Sequence, residues 1–172
     1  MRKITDTIFI LFLCFNLNAQ LDSIDVRSPE AITNKMLELI SGPIGEERNW
    51  DQFRNLFLPT SQKISVSTTK DGTKRVRSMN LEEFVRYVGP LYKRDGFEEY
   101  TIGLTINEFN GIANVFQSFY CKNLVGSYES RGVNSYQLLY DKNRWWIVST
   151  LFVNESEASP LPDKYLFEAF QK

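Results

Sequence analysis

A chain of 172 residues, 24% charged and with a net charge of −1, is long enough to bury its own core. The near-zero balance excludes a global basic field that would draw nucleic acid, and the complete absence of His excludes His-based catalysis and His metal ligation. Aromatic residues make up 14% of the chain, which suits a sheet built around Phe, Tyr and Trp.

The chain opens with Arg2 and Lys3, then the apolar run Ile8–Phe15, too short to span a bilayer, and then the small residue Ala19. This pattern predicts a cleaved secretory signal over residues 1–19 and a domain over 20–172, exported to the periplasm or the outside. An N-terminal anchor or a structureless start is the alternative reading. Cys14 follows the bulky Leu13, where a lipoprotein signal carries a small residue. Two positive charges and one negative leave with residues 1–19, taking the net charge to about −2. Only Cys121 then remains, so no intrachain disulfide is expected, and Cys121 reads as a small hydrophobe in a strand.

Ser28-Pro29-Glu30 starts a helix, with Ile32, Met36, Leu39 and Ile40 along one face and Gly42-Pro43 as the stop. Asn49, with Gln52 placed for a capping box, starts a second helix bearing Trp50, Phe53, Leu56 and Phe57, which Pro59 ends. Lys63–Thr69 and Lys74–Ser78 flank a turn over residues 70–73 and predict a hairpin. Its Lys70, Lys74, Arg75 and Arg77 read as nucleic-acid contacts or as charge protecting a sheet edge; the second reading is preferred. Asn80 and Glu83 start a third helix with Leu81, Phe84, Val88 and Leu91 on its buried stripe, kinked or ended by Gly89-Pro90. Two hairpins follow. Thr101–Phe109 and Ile112–Cys121 flank Asn110-Gly111, and Val133–Tyr140 and Trp145–Val153 flank a turn over residues 141–144. This order predicts an α+β fold, with three N-terminal helices packed on a curved, mostly antiparallel sheet.

Strand alternation then selects candidate site residues. Ile102, Leu104, Ile106, Ala113, Val115 and Phe119 share a face that should meet the helices, and Glu108 and Gln117 are its polar members. A buried Glu needs partners, although Glu108 lies near a turn where water can reach it. In the second hairpin, Asn134, Tyr136, Leu138, Trp145, Ile147 and Ser149 share the expected inner face. Asn134, Tyr136 and Ser149 are either ligand contacts or side chains bonded to backbone. Arg131, just before this strand, could meet an anionic ligand group or form a salt bridge. Glu98-Glu99 and Glu155/Glu157 have no His or Cys beside them, so no transition-metal site is expected.

The stretches Phe109–Val115, Arg131–Leu138 with Tyr120 before it, and Arg144–Ser149 resemble the nuclear transport factor 2-like superfamily, the cystatin-like α+β cone. The likeness is to its uncharacterised bacterial members, over roughly Pro29 to Tyr165. The resemblance implies a curved sheet wrapped on three helices with a pocket in the mouth of the cone. It also implies a homodimer through the sheet, for which Trp146, Val148 and Phe152 offer apolar surface. Isomerase-like members use an Asp base after the second helix and a Tyr in the first; here residues 58–66 hold no carboxylate and 30–41 no Tyr. The expectation is therefore an exported domain that binds a small apolar or amphipathic ligand through Glu108, Gln117, Arg131, Asn134, Tyr136 and Ser149. It would have no cofactor, no nucleic-acid partner and no membrane span. The alternatives are a lyase, isomerase or hydrolase using Glu108 as base, and a non-catalytic dimerisation module.

Overall fold

The computed structural model describes residues 26–69 and 71–171, so the signal-peptide reading of 1–19 lies outside the described residues. The elements run α1 (Pro29–Ile40), α2 (Trp50–Arg54), β1 (Phe57–Thr68), β2 (Lys74–Met79), α3 (Leu81–Asp95), β3 (Glu98–Phe109), β4 (Ile112–Lys122), β5 (Glu129–Asp141) and β6 (Arg144–Asn154). A C-terminal tail follows, with single helical turns at Asp163–Tyr165 and Glu168–Phe170. The architecture is α+β: helices packed on one curved sheet of order β2-β1-β6-β5-β4-β3. Every strand pairing is antiparallel except β1 with β6. No helix among the described residues is long and apolar enough to cross a membrane.

The caps follow the sequence. The Ser28 side chain accepts from Ala31 N–H, and Asn80 with Glu83 closes a complete capping box on α3. One proline expectation is corrected, and of the two outcomes expected at Pro90 one is removed. Pro59 does not end α2, which stops at Arg54; it sits inside β1, in the irregular stretch between Phe57 and Gln62 where the ladder with β6 is interrupted and an N–H is not needed. Pro90 does not end α3, which continues to Asp95. Pro90 has no N–H to offer the Arg86 carbonyl, and both residues are exposed on the solvent side of the helix.

The core lies between the helices and the inner face of the sheet, with Ile32, Phe53, Leu56, Val115, Tyr136 and Ile147 fully buried. Val115, Leu138 and Ile147 point inward, as their alternation predicts. Arg48 is the buried cation that locks the helical layer. Its guanidinium donates to the carbonyls of Ile40, Gly42, Pro43, Glu46 and Tyr92, joining the end of α1 to α3.

Two strand irregularities decide which side chains face the helices. In β3, Thr101 pairs with Phe119 and Gly103 with Ser118, so Ile102 is an extra residue. In β6, Gln137 faces Ser149 and Leu138 faces Ile147, so Val148 is extra. Each bulge reverses the alternation beyond it. Glu99 and Thr101 thereby join the inner face, as do Thr150 and Phe152, while Ser149 and Leu151 leave it. The C-terminal tail covers the outer face of β3, where Phe167 N–H bonds Ile102 O. Gly103 permits this approach: a Cβ there would lie 1.8 Å from Tyr165 O.

Candidate functional site

A cavity of about 830 Å³ lies between α1, α3 and the inner face of the sheet. Met36 and Ile40 from α1, Phe84, Val88, Leu91 and Tyr92 from α3, Phe97 just before β3, and Phe119 and Phe152 from the sheet line it with apolar surface. The backbone makes room for part of this wall. Gly132 stands opposite Phe119, and a Cβ on Gly132 would come within 2.7 Å of that ring. The mouth carries Arg75 and Arg77 from the edge strand β2, and Arg94 with its partner Asp95 from the end of α3. The Arg77 guanidinium stacks on Tyr87 at 4.1 Å.

Lys63, Glu99 and Asn134 are among the polar groups that line the cavity. Lys63 is only 3% exposed. Its ammonium lies over the rings of Phe84, Phe57 and Phe53, at 4.7, 5.4 and 5.8 Å from their centres. Among the described residues it has no hydrogen-bond or salt-bridge partner, and it looks across at Glu99 without touching it. Burial pushes the Lys63 ammonium down to about 8, against a smaller opposing pull from the Glu99 charge.

Glu99 is held from both sides. Its backbone N–H donates to Ser41 Oγ at 2.9 Å, pinning the start of β3 to the end of α1. Its Oε1 accepts from Asn134 Nδ2 at 2.9 Å. Burial pushes its carboxyl up to about 7, with the Asn134 hydrogen bond and the Lys63 charge opposing the rise. Cys121 also lines the cavity, and burial pushes its thiol up to about 12.

Of the six residues expected at the site, Asn134 alone lines the cavity. Glu108 is exposed near the β3–β4 turn, beyond the bulge and away from the helices. Gln117 and Tyr136 are fully buried but engaged with protein groups: Tyr136 O–H donates to Gln117 Oε1 at 3.0 Å, and Gln117 Nε2 donates to Asn34 Oδ1 and Thr101 Oγ1. Arg131 forms a two-pronged pair with Glu155 at 2.6 and 2.9 Å. Ser149 shares the opposite face of the sheet with Gln137 because of the β6 bulge.

Sequence reasoning missed Lys63 and Glu99. In β1 the apolar residues Ile64 and Val66 alternate with Ser61, Lys63, Ser65 and Ser67, so ordinary patterning points Lys63 outward. The structure turns Lys63, Ser65 and Ser67 toward the cavity.

No family model matches the sequence, and no curated protein does. Solved structures do match in shape. A cystatin-like protein of unknown function from Nostoc punctiforme superposes with a TM-score of 0.55 at 7% identity, over 74% of this chain and 89% of that one. An NTF2-like protein of unknown function from Silicibacter pomeroyi gives 0.53 at 11% identity, over 73% and 92%. A protein from Novosphingobium aromaticivorans with a provisional scytalone dehydratase assignment gives 0.55 at 7% identity, over 74% and 81%. The chain therefore has the cystatin-like, NTF2-like fold that its hairpin sequences resemble.

Proposed function

We propose that this protein is an exported binder of a small, largely apolar molecule that enters the cavity between helices and sheet, with its polar end at Lys63, Glu99 and Asn134. The leader-like residues 1–19 support export. The observation that carries the binding reading is the pairing of an apolar cavity of about 830 Å³ with a nearly buried ammonium that has no hydrogen-bonding partner among the described residues. A buried charge is costly to leave unsatisfied, and a ligand oxygen at Lys63 Nζ relieves that cost. The cavity falls within the size range of sites that enclose a small organic ligand. Glu108, exposed and remote from this cavity, is left out of the binding site.

Thermal-shift screening against steroid-, polyketide- and lipid-like compounds tests the reading. Stabilisation by members of one class, lost when Ser65→Trp fills the cavity wall, is expected. No stabilisation by any apolar compound would remove it.

A second reading, a homodimer through the outer face of the sheet, rests on Val148, Leu151 and Val153, which are all exposed on β6. Sedimentation of a species of twice the chain mass supports it, and a monomer at high concentration removes it.

A further inference from the structure

We propose that Lys63 captures a small hydrophobic aldehyde or ketone as an imine, with Glu99 relaying the proton. This rests on the ligand-binding reading and specifies the chemistry of the ligand's polar end. Lys63 and Glu99 face one cavity with opposite charge, so the polar end of the cavity is close to neutral and does not favour an anionic head group over a carbonyl. The Lys63 amine is desolvated over three Phe rings, free of any hydrogen-bonded partner among the described residues, and open to the cavity. Such surroundings favour the free-base amine, which is the nucleophile, and its lowered proton affinity agrees. Glu99 is held by Asn134 on one oxygen, and its carboxyl changes protonation near neutrality, as a proton relay must.

The step balances. The Lys63 ammonium, which does not touch Glu99, gives a proton to the Glu99 carboxylate through water in the cavity. The free Nζ pair attacks the carbonyl carbon, a C–N bond forms, and the C=O π pair moves to oxygen, which takes a proton from the nitrogen. Glu99 then returns its proton to the hydroxyl, the C–O bond breaks, and water leaves. The product is a protonated imine on Nζ facing the regenerated Glu99 carboxylate. Nothing is oxidised or reduced.

Incubation of the folded protein with naphthaldehyde and sodium cyanoborohydride near neutral pH, followed by peptide mass mapping, tests this. One saturating adduct on the peptide bearing Lys63 is expected. It should be blocked by excess naphthalenemethanol, which lacks the carbonyl, and absent from Lys63→Arg. Glu99→Gln should slow its formation about a hundredfold. Adducts spread over exposed lysines with Lys63 unmodified would overturn the proposal, and this wild-type map decides even if the variants do not fold. If naphthalenemethanol binds in the cavity while the aldehyde leaves Lys63 untouched, the imine chemistry falls and the ligand-binding reading stands. If neither compound binds, both fall.

Discussion

Lys63 on β1 and Glu99 on β3 enter one cavity from strands separated by three others in the sheet. Their juxtaposition is therefore a product of sheet curvature and of the β3 bulge, since neither is near the other in sequence. Lys63 is a charge taken out of water and Glu99 is half-buried, each at a cost, and neither is neutralised by contact with the other. Structural ion pairs close up; this one is held open around a cavity.

The cost appears as a pH dependence of stability. The Glu99 carboxyl sits at about 7 against an ordinary 4.5, and the Lys63 ammonium at about 8 against 10.5. Between 4.5 and 7 the folded chain keeps a Glu99 proton that the unfolded chain releases, so stability falls as pH rises. Between 8 and 10.5 the unfolded chain keeps a Lys63 proton that the folded chain has released, so stability rises with pH. Urea unfolding across this range should show a dip between about 7 and 8 from this pair. Glu99→Gln should flatten the acid limb and Lys63→Met the alkaline one. Lys63→Met should also raise stability at neutral pH by about 2 kcal/mol, because an apolar side chain suits the three Phe rings better than an ammonium.

Arg48 has the opposite character. Its guanidinium serves five carbonyls that end α1, shape the following loop and reach α3. Arg48→Met keeps most of the volume and leaves the buried members of that set unbonded. Urea unfolding should show a loss of about 3 kcal/mol, and Arg48→Lys should recover less than half of it, since an ammonium cannot reproduce the fork.

The tail packs on β3 only because residue 103 has no side chain. In Gly103→Ala the new Cβ meets the backbone oxygen of Tyr165, so the tail must lift and uncover Ile102. Limited proteolysis should then cut within residues 161–171 much faster than in the parent protein, with the sheet left intact.

Cys121 should resist alkylation. Its thiol lines the cavity, but burial holds it at about 12, far from the thiolate form at neutral pH. Iodoacetamide followed by peptide mapping should modify Cys121 only after denaturation. Fast labelling of the folded protein would place the thiol in a wetter site.

The fold was legible because its signals are local. The Asn80–Glu83 box, the Ser28 cap and the Asn110-Gly111 turn each act within a few residues, and Asn110 and Gly111 adopt the positive φ that the turn requires. The site was mostly illegible because single extra residues decide it. Ile102 and Val148 carry no mark distinguishing a bulge from a regular strand position, yet they move Glu99 and Phe152 in and Ser149 out. Asn134 was legible because no irregularity separates it from Tyr136 and Leu138 on the inner face of β5. Lys63 was hidden by Ile64 and Val66, whose apolar character pointed the wrong side of β1 inward.

The central claim is that a small apolar molecule occupies the space between α1, α3 and the sheet. Isotope-edited NMR of the methyl-labelled protein with naphthalenemethanol tests it most directly. Ligand contacts to the methyls of Met36, Val88 and Leu91, which line the cavity, are predicted. Contacts confined to Ile112 and other exposed methyls would contradict it.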